Sequence, residues 1–101
     1  MKRSEILDAA KACVCGAREG EYGSPEDNFE TIGLFWGTYL NAAYPEYTKA
    51  FPLNGIGAKD VAAMMALLKL ARIATGTATA DSFVDLAGYA ACGGEISAAH
   101  Q

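Results

Sequence analysis

Ala58–Thr75 reads AKDVAAMMALLKLARIAT, a run without glycine or proline. Alanine, methionine, leucine and lysine dominate it, and these are strong helix formers. Gly57 precedes the run and Gly76 follows it, so a helix over 58–75 is predicted, with Gly76 just past its end. From Val61 to Leu68 the apolar residues surround nearly the whole helix. Such a helix belongs in the middle of a bundle, and Lys69 and Arg72 then break the pattern on one side.

Upstream, Ser24-Pro25 is a helix start: serine accepts from the first free amides, and proline suits the first helical position. Asp27, three residues after Ser24, can complete a variant capping box. Phe29, Ile32, Trp36, Tyr39 and Leu40 recur at helical spacing, which predicts a helix from Pro25 to about Ala43. An earlier helix is expected from Ser4, as its cap, to about Ala17, with Ile6, Ala9, Ala10, Cys13 and Val14 on its apolar stripe. Residues 44–57 hold Pro45, Pro52, Asn54, Gly55 and Gly57 and read as a loop. Its Tyr47, Phe51 and Leu53 should bring part of it onto the core. Downstream, Thr79 or Asp81 caps a last helix reaching about Cys92 or Ile96, with Val84, Leu86, Ala87, Ala90 and Ala91 as its packing surface. No strand-like alternation and no repeat is present. The expectation is one all-α domain over 1–101, a four-helix bundle with a central apolar third helix. That third helix needs cover on every side, which three short helices do not supply, so a homo-oligomer, a dimer or tetramer, is expected.

Composition narrows the chemistry. The chain has 101 residues, is about half hydrophobic and carries a formal net charge of −4. A nucleic-acid binder usually shows a basic face, and none is visible here. The longest apolar stretch is too short to cross a bilayer, no signal peptide is evident, and a cytoplasmic protein is expected. Three cysteines in so short a chain do not make a disulfide framework. They read as reduced thiols packed like small apolar side chains. His100 is the single histidine, which excludes a serine–histidine or cysteine–histidine nucleophile.

Two acidic pairs remain. Glu26 and Glu30 share one helix face, and Asp81 and Asp85 share another. Were the two helices to pack side by side, four carboxylates would converge. Such a set stays ionised only with compensation, which Mg²⁺ supplies while sharing phosphate oxygens. The alternative stands beside it: Glu26, Asp27 and Asp81 suit helix N-termini on dipole grounds alone, and Asp85 can pair with Lys69 or Arg72 inside the bundle. Lys69 and Arg72 read equally as phosphate ligands or as helix C-terminal cations. Asp60 reads as a helix N-terminal acid. Tyr22, between turn glycines and charges, is a candidate pocket residue, whereas Trp36, Tyr39 and Tyr89 read as core.

Taken together, Arg18-x-x-x-Tyr22-Gly23, Asn28-Phe29, Trp36, Asp60-Val-Ala-x-Met-Met, Lys69-x-x-Arg72 and Asp81-x-x-x-Asp85-Leu-Ala-Gly-Tyr89-Ala resemble a family of short, mostly phage-encoded proteins of unassigned function. The pieces are also similar to nucleotide-modification-associated phage proteins and, more distantly, to MazG-like all-α nucleoside triphosphate pyrophosphohydrolases. That last resemblance implies a MazG-like bundle in which Glu26, Glu30, Asp81 and Asp85 hold Mg²⁺. Glu30 and Asp85 are then the catalytic acids, and Arg18, Tyr22, Lys69 and Arg72 bind the nucleotide. The family pattern is Glu-x-x-Glu followed by Glu-x-x-Asp, whereas both pairs here are spaced by four. Three functions follow as expectations: a Mg-dependent pyrophosphohydrolase; a protein that holds a host immune signalling nucleotide intact, as a phage anti-defence device; or a helical interaction module.

Overall fold

The computed structural model describes residues 1–16, 24–49, 56–76 and 79–99. These form five helices and, among the described residues, no strand: α1 Arg3–Cys15, α2 Pro25–Ala43, α3 Pro45–Thr48, α4 Ala58–Thr75 and α5 Thr79–Ala99. The all-α expectation holds, with one helix more than predicted. The addition, α3, is a single turn inside the expected loop. Pro45 starts it, and the amides of Tyr47 and Thr48 both donate to the Tyr44 carbonyl at 3.1 Å.

The predicted boundaries of α2 and α4 are met. Ser24 Oγ accepts from the Asp27 amide at 3.3 Å. At α4, Gly57 N–H donates to Asp60 Oδ2 at 3.2 Å, and Gly76 N–H donates to the Arg72 carbonyl at 2.6 Å. α1 begins two residues earlier than expected, with Lys2 rather than Ser4 at its cap. Ser4 lies inside the first turn rather than capping it, and Lys2 N–H donates to Glu5 Oε1 at 3.0 Å instead. α5 runs past Cys92 and through Gly93-Gly94 to Ala99.

α4 packs on α5 along its length and on α2 across its first half, while α1 lies on α5. Ala62 beside Gly93 and Lys69 beside Asp85 show that α4 and α5 are antiparallel. α2 crosses at Gly33. A Cβ there would collide with the Ile56 carbonyl oxygen and lie 3.3 Å from Val61 Cγ2. The core is Phe29, Ala58, Val61, Ala62, Cys92 and Ile96, with Val14, Ile32, Trp36, Ile56, Met65 and Tyr89 packed around it. Phe29 and Tyr89 join α2 to α5, their ring centroids 6.0 Å apart.

Four details of the sequence reading are corrected. Tyr39 and Tyr47 are exposed rather than packed on the core, while Phe51 and Leu53 lie outside the described residues. Cys92 packs as a small apolar side chain, but Cys13 and Cys15 are exposed. α5 buries Val84, Gly88, Cys92 and Ile96, a stripe at four-residue spacing, and leaves Ala90 and Ala91 outside. α4 is central as expected, yet its outer face is open: Met64, Leu67, Leu68 and Leu70 are exposed.

Candidate functional site

The acidic pairs sit at opposite ends of α4. Because α5 runs antiparallel to α4, Asp81 and Asp85 lie beside the end of α4. Because α2 crosses near Ile56 and Val61, Glu30 lies beside its start. Lys59 and Lys69 are ten residues apart on α4, roughly 15 Å along the helix axis. The side-by-side packing that would gather four carboxylates therefore does not arise, and α2 and α5 touch only sparsely.

At the far end, Lys69 Nζ lies 2.9 Å from Asp85 Oδ2. The lysine side chain is 16% exposed and the aspartate 39%, so the pair closes the α4–α5 seam where its apolar packing thins. This is the internal ion pair that stood as the alternative reading. Arg72 and Asp81 are exposed nearby.

At the near end a groove of ≈ 480 Å³ opens between α2, α4 and α5, lined by Glu30, Gly57, Ala58, Lys59, Asp60, Ile96 and Ser97. That volume lies in the range of small-molecule sites. Each element contributes for a local reason. Glu30 follows buried Phe29 and so projects from the edge of the α2 face. Lys59 and Asp60 occupy the first turn of α4, and Ser97 follows buried Ile96. The positive end of the α4 dipole opens here, already met by the Asp60 carboxylate, and Lys59 shares the lining with two acids, Glu30 and Asp60. Glu26, half-buried in the first turn of α2, does not line the groove.

Sequence reasoning placed Glu30 in the site but missed Lys59 and Ser97, and it read Asp60 first as an N-terminal acid, with a site role as the lesser alternative. Asp60 does fill the N-terminal role through Gly57, and it faces the groove as well. The available signal was a charged Lys-Asp pair directly after a glycine-bounded helix start. Arg18 and Tyr22 lie outside the described residues.

Among the described residues, no three His, Cys, Asp or Glu side chains come together as a group able to hold a metal ion. Glu26, Glu30, Asp81 and Asp85 thus do not form a ready-made Mg²⁺ cage. No helix among the described residues is long and apolar enough to cross a membrane.

The fold and groove define a small protein, all-helical among the described residues, with a cleft at the start of α4. The chain belongs to the family described as "Domain of unknown function (DUF6378)", which matches residues 5–97. Two phage proteins are similar to it. One is the "Gene 55 protein" of Mycobacterium phage D29, 36% identical over 87 residues, covering 86% of this chain and 50% of that protein. The other is the "Gene 55 protein" of Mycobacterium phage L5, 38% identical over 85 residues, covering 84% and 47%. The chain spans about half the length of these relatives. No solved structure matches it. The expected kinship with phage proteins of unassigned function is thereby shown.

Proposed function

We propose that this protein binds a nucleotide in the groove at the start of α4. The observation that carries the reading is the convergence of Lys59, the α4 N-terminus, Glu30 and Ser97 on one cleft. Lys59 offers an ammonium to phosphates, and Glu30 and Asp60 beside it offer oxygens to the Mg²⁺ that phosphates bring. Ser97 offers a hydroxyl to a sugar or phosphate oxygen, and Ile96 with Ala58 gives an apolar floor. Mg²⁺ enters this reading as the ion that accompanies nucleotide phosphates, mostly ligated by phosphate and water, and it would supply charge neutralisation there. Arg18 and Tyr22 are assigned to the nucleotide by the sequence reading and the family resemblance.

Binding is favoured over cleavage because the four acids do not gather around one point. A MazG-like pyrophosphohydrolase is the second reading. It is supported by the resemblance and by two carboxylates, Glu30 and Asp60, lining the same groove. In the first reading, a phage-family protein acting as a homo-oligomer in the host cytoplasm withdraws a signalling nucleotide by holding it intact.

One experiment separates these readings. The purified protein is incubated with Mg²⁺ and a nucleotide mixture that includes cyclic and ADP-ribose-type members, and the bound and free fractions are read by mass spectrometry. An intact nucleotide retained by the protein is the expected result. Release of pyrophosphate and a monophosphate would move the assignment to the hydrolase. No retention and no product would sink both and leave a helical interaction module.

A further inference from the structure

The side of α4 turned away from the core carries no charge from Ala63 to Ala74. Ala63, Leu67, Leu70 and Ala74 follow one another at intervals of four, three and four, the spacing by which one helix packs along another. Leu67 is 63% exposed and Leu70 46%, and both alanines are exposed. At 100° per residue this seam lies opposite Ala58, Val61 and Met65, which face the core. Lys69 and Arg72 fall on the other side.

The chain as a whole exposes more surface than a compact monomer, with Leu34, Phe35 and Tyr39 of α2 exposed as well as this seam. The chain exposes 7134 Å². A compact monomer of its 10.6 kDa mass would expose about 5,500 Å². The excess, roughly 1,600 Å², exceeds the ~800 Å² that each partner contributes to an interface of standard size. The radius of gyration, 15.1 Å, is likewise larger than the ~13 Å of a compact chain of this length. A chain with a net charge of −4 meets a copy of itself most easily over an uncharged strip.

We propose that the outer face of α4 is the contact between two copies of this chain, paired antiparallel so that Leu67 of one protomer meets Leu70 of its partner. The antiparallel sense follows from two features. The helix dipoles then oppose, and the four-three-four spacing of the seam reads the same in both directions. The seam is self-complementary in this register, as a two-fold axis requires. The leucines meet at the centre and Ala63 meets Ala74 at each end, where small side chains let the helices approach closely.

The test is the mass in solution, by light scattering on a sizing column, with circular dichroism as the check on folding. The wild-type chain should run at twice 10.6 kDa. Leu67→Glu and Leu70→Lys, both at exposed positions, should each run as folded monomers. Mixed in equal amounts they should recover the dimer. The carboxylate introduced on one protomer then faces the ammonium introduced on the other, and the remaining leucines face each other. Leu7→Glu, at an exposed leucine of α1, should leave the wild-type dimer intact. A monomeric wild-type chain, or a Leu67→Glu chain that still dimerises, overturns the proposal. Two monomeric variants that fail to associate when mixed overturn the antiparallel register.

Discussion

Lys69 and Asp85 each invite a reading as part of a phosphate site, and the structure joins them to each other instead. Breaking a fully buried ion pair costs about 3–5 kcal/mol, and an exposed one contributes about 0–1 kcal/mol. With Lys69 mostly covered and Asp85 partly open, Asp85→Asn should lower stability by about 1–2 kcal/mol in urea denaturation. The paired replacement Lys69→Met with Asp85→Leu should recover most of that loss, since no unpartnered charge remains. An Asp85→Asn protein as stable as the wild type would remove the pair from the account of the fold. Gly33 acts by absence. A methyl group there meets the Ile56 backbone carbonyl, which cannot swing aside as a side chain would. Gly33→Ala improves helix propensity by about 1 kcal/mol. Separating the helices costs about 1–3 kcal/mol. The expected outcome is a net loss, read as a lower denaturation midpoint at unchanged slope.

The helices whose ends carry local signals were legible from the sequence. Ser24-Pro25 starts α2, and Gly57 and Gly76 bracket α4, because capping and backbone freedom are decided within a few residues. The end of α5 was only partly legible: of the two expected ends, Cys92 and Ile96, the later one passes Gly93-Gly94 and falls just short of Ala99. Packing overrides propensity there: Cys92 and Ile96 are buried on either side, and Gly93 lets the helix approach Ala62, whose Cβ would stand 3.1 Å from an added methyl group. The two glycines should therefore respond differently. Gly94 faces open space, so Gly94→Ala should raise stability by about 0.5–1 kcal/mol, seen as a higher thermal midpoint. Gly93→Ala should fall short of that gain, because Ala62 must give way. Equal gains at both positions would mean that α4 and α5 are not held at this separation.

At the scale of the molecule, the stripes say which faces are buried but not which ends meet. Glu26/Glu30 and Asp81/Asp85 look equivalent as helix-face pairs. Only the crossing of α2 at Gly33 and the antiparallel return of α5 send Glu30 to the start of α4 and Asp85 to its end. The site legible in the sequence was thus a mixture of two places, with Glu30 in the groove and Lys69 and Arg72 at the far end. This separation yields a decisive comparison. Lys59 and Arg72 lie thirteen residues apart on one helix, roughly 20 Å. A nucleotide held in the groove by Lys59 should lose about tenfold in affinity in Lys59→Ala, about 1.4 kcal/mol. Glu30→Gln should alter affinity mainly in the presence of Mg²⁺, because the acid faces the groove as an oxygen donor. Arg72→Ala, exposed and distant, should bind within about twofold of wild type, inside the usual scatter for surface substitutions. Calorimetric titration with the nucleotide that the retention experiment identifies would read all three. Loss at Arg72 with Lys59 silent would carry the site to the Lys69–Asp85 end, where the phosphate would have to draw Lys69 away from the carboxylate it now holds.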